Sequence, residues 1–161
     1  MKTLIFGAGN LLLSDEGFGV HLVRYLEERY TFPAEVELYD GGTMGILATH
    51  KFEEAERVFI IDVVEGDGAP GDICRYDKGE IMLDRLPVKL SPHQIGLQEV
   101  LLISEMRGQA PERLTLLGII AESLEPGTEL TWLLKKRLDE VAGILLKELR
   151  ESGIEYYAKA A

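Results

Sequence analysis

Short, continuous apolar runs alternate along the chain with stretches whose apolar residues recur at helical spacing. Leu4-Ile5-Phe6 reads as a first strand, halted at Gly7-Ala8-Gly9-Asn10. Val20, Val23 and Leu26 then share one face of a helix predicted from about Gly17 to Tyr30, with Ser14 or Asp15 as its cap and Phe32-Pro33 as its end. Val36 to Tyr39 predicts a second strand, closed by Asp40-Gly41-Gly42, and Thr43 to Phe52 a short second helix. Val58 to Val64 (VFIIDVV) is β-branched, nearly continuous in apolar character and bounded by charge on both sides. Such a run suits a central parallel strand buried on both faces.

Glu65 to Gly71 is turn-forming by composition, and Asp72 to Tyr76 predicts an edge strand of antiparallel sense. Ser91-Pro92-His93-Gln94 reads as a helix start, with Ser91 as the N-cap, Pro92 at the first helical position and Gln94 completing a capping box; Leu97, Val100, Leu101 and Ser104 follow on one face. Leu114 to Ile120 is a further buried strand, and Glu125-Pro126-Gly127 a loop. Leu130, Leu134, Leu138, Val141, Leu145 and Leu149 line one face of a last helix, from about Glu129 to Arg150, which Ser152-Gly153 ends. The tail of about eight residues beyond it is expected to be loosely ordered. There is no internal repeat. The order β-α-β-α-β…α-β-α implies one three-layer α/β domain over residues 1–161 with a mostly parallel sheet.

Composition narrows the function. The 28 acidic residues against 17 basic ones give a formal charge of −11, which argues against nucleic acid or an anionic membrane surface as partner. No apolar stretch is long enough for a transmembrane helix, and the opening run breaks at Gly7 without a signal-peptide cleavage pattern. One cysteine, Cys74, excludes an internal disulfide and zinc-finger, iron–sulfur or CxxC frameworks, and fits a reducing cytoplasm. A metal site here must use carboxylates and at most a few of the three histidines, His21, His50 and His93.

In open parallel sheets, ligands gather outside the carboxyl ends of the strands, at the switch point. Asn10, Asp15 and Glu16 follow the first strand, Asp40 and Thr43 the second, and Asp62 stands near the end of the third; His93 reaches the same edge if its loop folds over it. Asp62 interrupts a strand that should be fully buried, where an unpaired carboxylate costs several kcal/mol or takes up a proton. It serves either a site or the capping of the next turn. Glu16 is equally readable as a site residue or as a carboxylate favoured by a helix N-terminus. His93, in a first helical turn where the dipole disfavours the imidazolium, is either a ligand or a solvated neighbour of the cap. His21 and His50 read as structural, His50 near the end of the short second helix, and Cys74 as a small buried hydrophobe. A Glu–Asp–His set is coherent as a divalent-metal site, with the imidazole favouring transition metals and open positions left on the ion. The competing nucleotide reading fails because Leu12 stands where the third glycine of G-x-G-x-x-G belongs. There is no Walker A motif and no G-x-S-x-G, and Cys74 has no adjacent histidine.

The stretch from Gly7-Ala8-Gly9-Asn10 through Leu11-Leu12-Leu13-Ser14-Asp15-Glu16 to Gly17-Phe18-Gly19 resembles the G-x-G-N-x-L-x-x-D-E-G-x-G signature of the nickel–iron hydrogenase maturation endopeptidases. Asp40-Gly41-Gly42-Thr43, the strand bearing Ile61-Asp62, and Ser91-Pro92-His93-Gln94 follow in the same order as in that family. The resemblance spans most of the chain. It implies a twisted, largely parallel five-stranded sheet with helices on both faces. It also implies an endopeptidase that removes a C-terminal peptide from the hydrogenase large-subunit precursor once nickel is inserted. A metal-contacting trio falls on Glu16, Asp62 and His93, the metal being nickel supplied by the substrate, with other divalent metals able to substitute. Asp40 is the candidate for an auxiliary acid, base or positioning group, and Gly41 and Gly42 for close approach of substrate backbone. The alternative is a non-catalytic nickel-sensing metallochaperone or adaptor on the same fold.

Overall fold

The computed structural model describes residues 2–42, 48–82 and 92–160, the side chains of Met82 and of residues 92–97 excepted. The chain opens with strand β1 (Thr3–Ala8), a 3-10 turn (Ser14–Gly17) and helix α1 (Phe18–Arg29). Strands β2 (Tyr30–Thr31) and β3 (Val36–Gly42), helix α2 (Thr49–Glu54) and strand β4 (Arg57–Val64) follow. Then come β5 (Ile73–Asp77), α3 (Lys78–Met82), α4 (Pro92–Met106), β6 (Arg113–Ile120), α5 (Trp132–Glu151) and β7 (Tyr157–Ala158). Five strands form one sheet in the order β3-β1-β4-β6-β5. β3, β1, β4 and β6 run parallel, and β5 pairs antiparallel with β6 at the edge, as the sequence predicts.

Alternation along the central strands builds two cores. Ile5 of β1 and Phe59, Ile61 and Val63 of β4 face α1 and α5, which contribute Phe18, Leu22, Val23 and Leu26, and Leu134, Val141, Leu145 and Leu149. Leu4 and Phe6 of β1 and Val58, Ile60 and Val64 of β4 face the other way, onto Phe52 of α2 and Val100 and Leu101 of α4. The result is three layers, helices on both faces of a mostly parallel sheet. Each fully buried Leu or Phe contributes on the order of 1.5–3 kcal/mol relative to leaving it exposed.

The element ends differ from expectation where a long-range partner decides them. α1 begins at Phe18, with Gly17 at its cap and no side chain capping it, so neither Ser14 nor Asp15 does that job. α5 begins at Trp132, where Thr131 Oγ1 accepts a bond from the Leu134 N–H, and not at Glu129. Of the helix expected over Thr43 to Phe52, α2 supplies Thr49–Glu54, and residues 43–47 lie outside the described residues. The expectation of a loosely ordered tail does not describe the structure. Ile154 is buried in the core, Tyr156 packs edge-on against Tyr30, and β7 pairs antiparallel with β2.

β1 leads through α1 to β3 on one side and, after α2, the chain reaches β4 on the other side of β1. The switch point therefore lies at the carboxyl ends of β1 and β4. α4 feeds the amino end of β6, so its first turn lies toward the same carboxyl edge.

Candidate functional site

The loop after β1 is laced to the β6–α5 connection. Ser14 N–H donates to the Gly127 carbonyl at 2.9 Å, Gly127 N–H to the Leu12 carbonyl at 2.9 Å, and Ser14 Oγ to the Glu125 carbonyl at 2.7 Å. Asp15 is fully buried at the centre of this lacing. Its Oδ2 accepts from the Glu122 and Ser123 N–H groups at 2.9 and 3.0 Å and from Thr131 Oγ1 at 3.0 Å, and its Oδ1 from the Thr131 N–H at 2.8 Å. These four donors satisfy both oxygens of the buried carboxyl group. The amino end of α5 is thereby anchored beside the turn that bears Glu16.

Gly9 brings Glu16 and Asp62 to one place. Its φ of +131° is open to glycine, and a Cβ placed there would lie 1.8 Å from the Glu16 carbonyl oxygen and 3.4 Å from Asp62 Oδ1. The Gly9 N–H also donates to the Gly42 carbonyl at 2.9 Å, which ties the end of β1 to the end of β3. Asp62 is fully buried on β4, and its Oδ1 accepts from the Val63 N–H at 2.7 Å. By the alternation of β4 it shares the sheet face of Ile60 and Val64, the face that α4 covers.

His93 is the second residue of α4, in the first turn as the capping pattern predicts; its side chain, Thr43 and the Ser91 cap lie outside the described residues. Among the described residues no three His, Cys, Asp or Glu groups gather as a metal site, and a set that includes His93 is not among those. Asp40 lies inside β3, opposite Gly7 of β1, with its side chain 44% exposed and 3.5 Å from Arg24 Nη2. Gly41 serves packing and not substrate approach: a Cβ there would meet the Phe6 ring at 2.0 Å. His50 is exposed in the first turn of α2 and so does not complement its carboxyl end. His21 lies on α1 with a buried Nε2 that has no hydrogen-bond partner, and burial, helped by Arg24 and Lys135, holds its pKa below the usual imidazole range. Cys74 is half-buried on β5, and burial pushes its thiol pKa up. The residues least legible in sequence are the anchors, Asp15 in its actual role and Thr131. A threonine just ahead of an amphipathic helix was the available signal.

Comparison with known proteins agrees with this architecture. The sequence profile of the HycI family, hydrogenase maturation protease, matches residues 20–148. This chain belongs to the hydrogenase maturation protease family. Across 162 aligned residues it is 38% identical to the hydrogenase 2 maturation protease of Escherichia coli strain K12, covering 100% of this chain and 98% of that protein. It is 38% identical over 152 residues to the hydrogenase expression/formation protein HoxM of Azotobacter vinelandii, covering 94% and 73% of the two chains. The solved structure of the hydrogenase maturating endopeptidase HybD from E. coli superposes with a TM-score of 0.92 at 38% identity, over 99% of this chain and 98% of that one. Membership makes the chain a peptidase by family, with the three-layer α/β fold of HybD. Among the described residues no helix is long and apolar enough to cross a membrane.

Proposed function

We propose that this maturation protease removes the C-terminal peptide of a nickel-loaded hydrogenase large-subunit precursor, reading the nickel through Glu16, Asp62 and His93. The observation that carries the reading is the meeting of the Glu16 turn and the buried Asp62 carboxylate over Gly9 at the switch point. The placement of the first turn of α4 toward the same edge supports His93 as the third member. Two carboxylates offset the charge of a divalent ion, and an imidazole suits nickel better than magnesium or calcium. The nickel is part of the substrate, so three protein ligands leave it room for groups of the precursor.

Hydrolysis needs a water deprotonated as it attacks the scissile carbonyl and an amine protonated as it leaves. Asp40 is the proposed auxiliary group at this edge. Its solvent-facing pair with Arg24 fits positioning of the substrate chain as well as proton transfer. Glu16→Gln, Asp62→Asn and His93→Ala are each expected to lower conversion of the nickel-loaded precursor at least 100-fold, roughly the cost of losing one preorganised polar group in a site. Mass spectrometry of the precursor, with and without nickel, reads the released peptide. Wild-type processing by all three folded variants sinks the assignment. Binding of the precursor with no peptide released would instead indicate a nickel-sensing adaptor, and equal cleavage of the metal-free precursor a general peptidase.

A further inference from the structure

The structure assigns to Asp15 the positioning of Glu16, through a clamp that couples the 3-10 turn to the amino end of α5; this rests on the reading of Glu16 as a site residue. Asp15 does not face the substrate. It is fully buried, and all four of its carboxylate bonds go to Glu122, Ser123 and Thr131. Its own N–H donates to the Ser123 carbonyl at 3.2 Å, and Ser14 beside it is bonded to Gly127 and Glu125. The turn is therefore gripped immediately before Glu16, while the Glu16 carbonyl is packed against Gly9, beside Asp62 Oδ1.

Thr131 makes the clamp two-sided. Its Oγ1 donates to Asp15 Oδ2 and accepts from the Leu134 N–H at 3.5 Å, so one hydroxyl both caps α5 and holds the turn. α5 is a helix of 20 residues packed on the core through Leu134, Leu145 and Leu149, a rigid body on which to brace a short turn. A carboxylate is the residue type the clamp needs. It accepts at both oxygens, and four donors converge on it, whereas an asparagine presents an N–H₂ to at least one of those donors.

Four single substitutions in the 161-residue chain test this, together with Glu16→Gln alone and combined with Asp15→Asn: Asp15→Asn, Thr131→Val, Thr131→Ser and Val141→Ala, the last a core change on the same helix. Processing of the nickel-loaded precursor by Asp15→Asn is expected to fall roughly 100-fold in kcat, with KM within about 3-fold of wild type, the signature of a misplaced group rather than a lost contact. Thr131→Val should fall in the same direction and Thr131→Ser should restore most of the rate. Val141→Ala, with its thermal midpoint lowered as far as that of Asp15→Asn, should keep the wild-type kcat. In the double variant, Asp15→Asn should add little to Glu16→Gln, because a residue acting through Glu16 has nothing left to position. Equal loss of kcat in Val141→Ala, or a double variant whose losses multiply, overturns the proposal. Amide hydrogen exchange is read in parallel. Asp15→Asn and Thr131→Val should speed exchange at Glu16 and Gly17 while Ile5 on β1 keeps its protection. If Glu16→Gln processes the precursor at the wild-type rate, the site reading fails, and the exchange data still decide whether Asp15 holds the turn: unchanged protection at Glu16 overturns it.

Discussion

The two ends of the central sheet bury charge in opposite ways. Toward the amino end, Arg57 opens β4, 2% exposed, with its guanidinium 4.4 Å over the Phe59 ring. It donates to Ser152 Oγ and, at 3.4 Å, to Glu148 Oε1, and Glu148 also receives a fork from Arg75 at 3.0 and 2.6 Å. There two cations share one anion, and the buried one also lies over an aromatic ring. At the carboxyl end the buried Asp15 is met by neutral donors, three N–H groups and one hydroxyl. Dipoles stabilise a carboxylate without cancelling its charge. Asp15 is thus held by dipoles at the edge where Glu16 turns and Asp62 is buried. Asp40 at the same edge does have a cation, Arg24, but the pair stands in solvent where such contacts are worth little. α5 spans the difference, held at Thr131 by the carboxyl-end clamp and at Glu148 and Ser152 by the amino-end cluster. One end pairs its buried cation with an anion, and the other surrounds its buried carboxylate with neutral donors.

Removing one charge at each end should break the contrast most visibly. Asp62→Asn is expected to cost on the order of 10³-fold in precursor processing, while its thermal midpoint stays within a few degrees of wild type, since the amide keeps the side chain's size and an oxygen to accept from the Val63 N–H. Arg57→Ala is expected to do the reverse. It removes a buried side chain with its bond to Ser152 Oγ and its packing on the Phe59 ring, while Glu148 keeps the Arg75 fork, and should cost about 1–3 kcal/mol in urea unfolding, with the kcat of the folded fraction unchanged. Near-normal processing by Asp62→Asn, or a kcat loss in Arg57→Ala as large as its stability loss, removes the distinction. Gly9→Ala comes next. Its φ of +131° and the Glu16 carbonyl 1.8 Å from the added Cβ force the turn to move. The expected cost is about 1–3 kcal/mol of backbone strain, with processing reduced in proportion to the shift of Glu16. A variant as stable as wild type in urea would mean that the turn is looser than the lacing implies.

The difference between the ends also explains what could be read in the sequence. Asp62 was legible because one charge interrupts VFIIDVV, and burial of the whole of β4 bears that out. The face of α5 was legible from the spacing of Leu134, Val141, Leu145 and Leu149, all buried. The antiparallel edge strand and the first turn of α4 were legible from local signals as well, the turn-forming stretch before β5 and the Pro92 start. The role of Asp15 was not. Its partners lie more than a hundred residues away and are mostly backbone N–H groups, which carry no residue-type signal. For the same reason α5 was predicted to start at Glu129 and not after its Thr131 cap. The tail was expected to be loose because nothing local holds it. Ile154 and the Tyr156–Tyr30 contact hold it from a distance. Asp40 stood out as a strand-ending acid, but its ion pair with Arg24 belongs to α1 and emerges only once α1 packs beside β3.

The smallest effect, and the one that sharpens the comparison most, is in the pH dependence of the amino-end cluster. The Arg75 fork holds the Glu148 pKa below the ordinary glutamate range; burial opposes it, and Arg57 adds to the depression. A group whose pKa is lower folded than unfolded binds fewer protons in the native state, so stability rises with pH across the interval between the two values. The contribution of Glu148 is therefore complete above its unfolded pKa of about 4.3 and is lost as the pH falls through the depressed folded value. Arg75 is 46% exposed, so solvent and salt screen part of the interaction. The urea midpoint of wild type should exceed that of Glu148→Gln by a constant margin from about pH 8 down to about pH 5.5, and the margin should shrink below about pH 4.3. Added salt should trim the margin without moving the pH at which it begins to close. A margin that holds unchanged to about pH 3 would show that Glu148 contributes shape and neutral hydrogen bonds and not charge. The amino end would then share the carboxyl end's reliance on dipoles.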